Sequence, residues 1–148
     1  AMPAGAAKVI FAGGQWAAID FGQRCEARSA AVNARRDTRP FAGFAFAPSG
    51  ARQGQFYVHL SRPARAGATI VATLGSKPFL LAGKGDWAWS RNAEQQKAMM
   101  DAARYGESLR IETRGHNGGR IVDRYALGGA ATAIDAAAAA CAGKSRRS

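Results

Sequence analysis

The stretch LRIETRGHNGGRIVDRYAL, residues 109–127, restricts the fold more than any other part of the chain. Leu109, Ile111 and Thr113 alternate with Arg110, Glu112 and Arg114, the period of a strand with one buried and one wet face. GHNGG (115–119) supplies a glycine-rich hairpin loop, and IVDRYAL (121–127) returns as the second strand. A lone hairpin is only marginally stable in water, so the rest of the chain must provide more strands and something to cover the apolar face.

The remaining sequence offers both. KVIFA (8–12) and WAAIDF (16–21) read as short strands around Gly13-Gly14, the second leading towards Cys25. The polar, arginine-rich residues 30–40 read as a loop. FAGFAFA (41–47) follows, then a turn at 48–50 and QFYVHLS (55–61), in which Phe56, Val58 and Leu60 alternate with Tyr57, His59 and Ser61. RPARAG (62–67) is a connector. ATIVATLG (68–75) and KPFLLAG (77–83) are two strands, or one bent strand broken at Gly75.

Two helices are expected. Asn92 stands three residues before Gln95, a capping-box-like start for a helix over 93–104, with Met99, Ala102 and Ala103 on its apolar face and Gly106 to end it. After Gly128-Gly129 a second helix spans 130–142. Ile134, Ala137, Ala138 and Cys141 share one stripe of it, so Cys141 faces the sheet. The fold class is mainly β with two helices: a small β-sandwich or barrel flanked by a mid-chain helix and a C-terminal helix.

At 148 residues the chain reads as a single domain, long enough to bury roughly 70% of its unfolded surface. Alanine dominates the apolar 47%, so the seven phenylalanines, three tyrosines and three tryptophans must supply much of the core. No apolar run approaches the ~18 residues a spanning helix needs. The opening AMPAG, with Met2 behind an alanine, reads as an expression scar, and residues 1–7 and 143–148 are expected to fray.

Twenty-one Lys and Arg against ten Asp and Glu give a net charge of +11, a field that attracts polyanions: nucleic acid, acidic polysaccharide, lipid headgroups or an acidic protein. Arg35, Arg36 and Arg39 cluster in one loop, Arg62 and Arg65 in another, and Arg110 and Arg114 share a strand face. If these converge they make an anion-binding patch; otherwise they are solvated charges. The two cysteines, Cys25 and Cys141, suit either one long-range disulfide or two separate buried thiols.

Catalytic patterns are sparse. His59 and His116 have no second ligand at metal-binding spacing, and neither HExxH nor paired CxxC occurs. There is no GxSxG elbow. Arg24 beside Cys25 would favour a thiolate were that cysteine free, which keeps a thiol mechanism as a third reading. Asp20, Asp86 and Asp123 are the strand-associated acids, and no spacing pairs two of them. AGKS (142–145) ends like a phosphate loop, but Ala138 stands where its first glycine is required. GFAFA (43–47) lacks the basic residue of an RNA-recognition strand, since Ala42 occupies that place.

Four stretches taken together resemble the invasion-associated locus B family, exported proteins of alphaproteobacteria. They are WAAIDFGQRCEA, FYVHLSR, DWAWSRNAEQQKAMMDAARYG and RGHNGGRIVDRYALGGAATAIDAAAAAC, and they cover most of the chain. Ala126 and Gly129-Ala130 stand where that family often has serine and phenylalanine. The resemblance implies a periplasmic or secreted protein, made with a signal peptide that has been removed. In that compartment Cys25 and Cys141 would oxidise to a bridge. It further implies that Trp16, Trp87, Trp89, Tyr125 and Leu127 are core signature residues. It carries no established enzymatic activity, cofactor, metal or catalytic residue. The implied function is non-enzymatic binding of an unknown protein or polyanionic partner through a basic surface, linked to host-cell association. The alternative is a periplasmic inhibitor or accessory subunit that meets an acidic enzyme or glycan. Nucleic acid comes last, because export removes it as the usual partner.

Overall fold

The computed structural model describes residues 7–49 and 53–145. Residues 1–6 and 146–148 of the expected frayed ends, and Gly50 of the expected turn, lie outside them. The strands are β1 (Lys8–Gly13), β2 (Trp16–Asp20), β3 (Cys25–Ala30), β4 (Phe41–Phe46), β5 (Gln53–His59), β6 (Ile70–Leu74), β7 (Lys77–Lys84), β8 (Trp87–Trp89), β9 (Ser108–Arg114) and β10 (Arg120–Ala126). The helices are α1 (Ala93–Tyr105) and α2 (Ala130–Ser145). A mainly β fold with one mid-chain and one C-terminal helix is therefore what forms.

The strands make one antiparallel sheet in the order β1-β2-β3-β4-β5-β8-β7-β6-β9-β10. The first five run as a meander. The chain then folds β6, β7 and β8 back so that β8 lies beside β5, and α1 carries it across to place β9 against β6. Gly75, at φ 64°, turns the chain tightly between β6 and β7, so residues 68–83 are two strands and not one bent strand.

The sheet is not closed, so the barrel alternative is not the one adopted, yet the sheet curls until its last strand faces its first ones. The Trp16 indole N–H donates to the Ala126 carbonyl at 2.8 Å. Val32 N–H donates to the Arg124 carbonyl at 2.7 Å, and the Asn33 side chain bonds both Val122 O and Arg124 N. The two Gly-Gly turns interlock: a Cβ on Gly14 would lie 2.2 Å from the Gly128 oxygen, and one on Gly129 2.2 Å from the Gly13 oxygen. Both glycines also have positive φ, so no other residue suits either place.

The concave face holds the core. Phe44 and Phe56 pair across β4 and β5, and Trp16 stacks on Phe44 at 6.3 Å. Leu109, Ile111 and Thr113 turn inward as their alternation requires, as do Phe56, Val58 and Leu60. α1 covers β5, β6 and β7 with Gln96, Met99, Ala102 and Ala103. Its Asn92 cap accepts from Gln95 N–H at 2.8 Å, while the Gln95 side chain reaches back one residue further, to Arg91 N–H.

α2 lies over β2 and β3. Ala130, Ala133, Ile134, Ala137 and Cys141 are buried against a floor that includes Ala18, Cys25 and Ala27. Small side chains on both surfaces let the helix come close, and Cys25 and Cys141 are joined with their Cα atoms 5.9 Å apart. α2 runs past the expected end at 142 to Ser145, and Lys144 donates to the Asp20 carboxylate at 2.5 Å and to the Gly22 carbonyl at 2.7 Å, which ties its last turn to the sheet. AGKS is thus helix, with no phosphate-loop geometry.

Candidate functional site

One end of the sheet gathers three of the connections that carry the arginines. The β3–β4 loop (31–40), the β5–β6 connection (60–69) and the β9–β10 hairpin (115–119) are tied together there. Ala64 bridges to Gly115, Arg65 N–H donates to the Arg114 carbonyl, and Asn33 bonds β10. Arg35, Arg62 and Arg120, one from each side, line a cavity of about 360 Å³ with Asn33, Thr38, Ser61, Asp37 and Asp123. Arg65, Arg114 and Arg120 line the neighbouring hollow, and Arg62 borders a third with His116.

Of the seven arginines expected to bind anions, four therefore surround this cluster of hollows: Arg35, Arg62, Arg65 and Arg114. Arg36 and Arg39 are exposed in the same loop as Arg35. Arg110 is ion-paired to Glu112 on its own strand and does not line these hollows; Arg120 pairs with the other oxygen of the same carboxylate through one Nη, at 3.1 Å, and still lines both of the first two hollows. Arg120 belongs to the cluster although the loop-by-loop reading overlooked it; its place beside the GHNGG loop was the available signal. Asp123 is 3% exposed at the cavity wall, where its carboxylate accepts from Ser61 N–H at 2.9 Å. The arginines thus surround the buried Asp123, with Asp37 and Glu112 also on the walls, and they outnumber these acids, so their guanidinium forks suit carboxylate, sulfate or phosphate oxygens.

The convex face of β3, β4, β5 and β8 holds a second cluster. Glu26 is 4% exposed and accepts from Arg24 Nε at 2.5 Å, Arg28 Nη2 at 2.8 Å and the Tyr57 hydroxyl. Burial works to raise the Glu26 pKa, but the three hydrogen bonds outweigh it and hold the carboxyl below its ordinary value. Tyr57 moves the other way: burial and the adjacent Glu26 charge raise its pKa. Gly43 makes room for this network, since a Cβ there would stand 2.7 Å from the Tyr57 hydroxyl.

Aromatic rings continue from the network. The Arg28 guanidinium lies 4.5 Å over Phe41, Phe41 meets Trp87 edge-on at 5.6 Å, and His59 lies 4.7 Å from Trp87. His59 in turn contacts Asp86 Oδ2 through Nε2 at 2.8 Å and the Arg39 carbonyl through Nδ1 at 3.2 Å.

Here the expected tryptophan core must be corrected. Trp16, Tyr125 and Leu127 are core residues, but Trp87 is 42% exposed and Trp89 only half-buried. Ala88 faces Val58 and fills the inward position of β8, which sends both neighbouring indoles to the convex side that no helix covers. The alternation of Glu26 and Arg28 with Cys25, Ala27 and Ser29 could have revealed β3 and its outward charges. Its inward residues are too small to register as an apolar stripe.

Among the described residues no three His, Cys, Asp or Glu side chains come together as metal ligands. Asp20, Asp86 and Asp123 each meet a different partner. Cys25 is bonded and fully buried, so the oxidised protein lacks the nucleophilic thiol of the third reading. No described helix is long and apolar enough to cross a membrane. The disulfide is compatible with a location outside the cytoplasm. Comparison of the chain with models of protein families, with curated proteins and with solved structures finds no match.

Proposed function

We propose that the chain is an exported, non-enzymatic binding domain that holds an anionic partner at the arginine-lined end of its sheet. The convergence of Arg35, Arg62 and Arg120 from separate parts of the chain onto one cavity carries this reading. Scattered surface arginines would serve solubility alone; guanidiniums brought together across 85 residues of sequence (120 − 35) share one field and can grip one ligand. The net charge of +11 adds long-range attraction. Export accords with the disulfide, and the resemblance to invasion-associated locus B proteins supports both export and an association with host cells. The partner is an acidic glycan or an acidic protein surface.

Calorimetric titration with a uronic-acid hexasaccharide, repeated from low to high salt, tests this. The affinity should fall steadily as salt rises, since exposed charges are screened within roughly 10 Å at 0.1 M. The double variant Arg62→Ala/Arg120→Ala should bind about tenfold more weakly at low salt. Affinity unmoved by both salt and substitution would rule the reading out.

A further inference from the structure

We infer a second binding site, electrically unlike the first: the convex face around Trp87 is built to take a neutral saccharide, with one pyranose ring laid on the indole. This does not rest on the anion-binding reading, because it uses other residues and another force.

Trp87 is a costly residue to leave in water, and the chain elsewhere buries Trp16 to 1% exposure. Yet Trp87 is not loose. Phe41 stands edge-on to it at 79°, His59 lies 4.7 Å away and Tyr57 6.4 Å away, so its free surface is held in one orientation. Phe41 is itself held under the Arg28 guanidinium. A ring fixed before the ligand arrives loses little freedom on binding, which favours recognition.

Polar groups border the ring. The Asp86 carboxylate, 42% exposed, is braced by His59 Nε2 at 2.8 Å and keeps acceptor capacity on its open side. Lys84 is exposed and sits directly across β7–β8 from Trp87, where it offers a donor. An apolar ring face with an acceptor on one side and a donor on the other matches a pyranose. The sugar's C–H groups lie against the negative face of the indole, and its hydroxyls reach outward to the carboxylate and the ammonium.

Charge decides between this ligand and a single-stranded nucleic acid, whose bases also stack on aromatic side chains. Arg24 and Arg28 are already committed to the buried Glu26, and the Lys84 charge across from Trp87 is offset by the Asp86 carboxylate on the same hairpin, which repels a phosphodiester. A hydroxyl-rich neutral chain meets no such penalty. The short, tilted ring cluster also fits one sugar unit better than a row of bases.

Tryptophan fluorescence of the intact oxidised protein reports on the site, because Trp16 is buried and Trp87 is the most exposed indole. Neutral α- and β-linked glucose hexasaccharides, a uronic-acid hexasaccharide and an oligothymidylate would each be titrated at low and high salt. A neutral hexasaccharide should shift the emission at millimolar concentration, with an affinity that salt leaves unchanged. By calorimetry, which does not need the reporting indole, Trp87→Ala should bind the neutral hexasaccharide about tenfold or more weakly, Trp87→Phe should restore part of the loss, and Asp86→Ala should weaken binding by a similar factor. Arg62→Ala/Arg120→Ala should leave it intact, so that failure of the anion site and failure of this one remain separable. Thermal unfolding of each variant would show that the fold persists. No response to either neutral hexasaccharide overturns the inference, and so does a response to oligothymidylate that fades with salt.

Discussion

The two faces of β3, β4 and β5 are built from alternate residues of the same strands, yet they solve opposite problems. On the concave face Cys25, Ala27, Phe44, Phe56 and Val58 meet α2, α1 and the returning strands, and every one is 5% exposed or less. On the convex face Glu26, Arg28, Phe41, Tyr57 and His59 have no covering layer. They satisfy one another through ion pairs, ring contacts and a shared hydroxyl. One face gains stability by excluding water. The other gains definite shape while keeping polar groups and Trp87 within reach of a ligand. Strands stabilised from one side leave the other side free to be specified for binding.

The contrast can be broken most severely at the disulfide, which belongs to the concave face. Reduction, or the double change Cys25→Ala/Cys141→Ala, should lower stability by about 4–5 kcal/mol in the chain-entropy description, because the bridge closes 116 residues. Chemical denaturation with and without reductant measures it. Trp16→Ala, deep in the same face, should cost about 3–5 kcal/mol through its cavity and the lost bond to Ala126.

Removing the convex-face anion should cost less. Glu26→Gln takes away a carboxylate that is 6% exposed, but its arginines are 42% and 31% exposed and can turn to water. About 2 kcal/mol is expected, below the ~3–5 of a fully buried pair. The pH dependence sharpens the point. The Glu26 carboxyl is held below the ordinary 4.5 in the folded protein, so the unfolded chain binds its proton more tightly. Its contribution is complete above about pH 4.5 and is lost as pH falls through the folded value. Asp20, Glu112 and Asp135 are lowered too, so the protein should weaken in acid, and Glu26→Gln should weaken less steeply than the wild type. The smallest effect belongs to Trp87→Ala, about 1 kcal/mol by thermal unfolding, since its half-covered ring loses only its contacts with Phe41, His59 and Tyr57. An indole that packed as core would cost several times more.

That last comparison shows where sequence reading stops. The hairpin at 109–127 and both helices were legible because each is a local pattern: a strict alternation, a cap, a stripe with period near 3.6. β3 was not, because Cys25, Ala27 and Ser29 owe their small size to the close approach of α2, a partner over a hundred residues away. For the tryptophan pair, an i, i+2 spacing in a strand puts Trp87 and Trp89 on one side of the sheet. Which side depended on Ala88 facing Val58, a register set by the fold-back of β6 to β8. The arginine groups were visible singly, and only the tertiary contacts that tie residues 31–40 to β10 and Ala64 to Gly115 bring them to one end.

An acidic ligand should meet the protein at the arginine-lined loop end and not on the helix-covered surface. Amide chemical-shift mapping of the isotopically labelled, oxidised protein with the uronic-acid hexasaccharide tests this most directly. Perturbations should concentrate at residues 31–40, 60–69 and 115–120 and fade as salt is added. Perturbations centred instead on α1, α2 or the hollow that Leu74, Lys77, Asp101, Tyr105 and Ser108 line at the other end of β9, with those loops unmoved, would overturn the assignment.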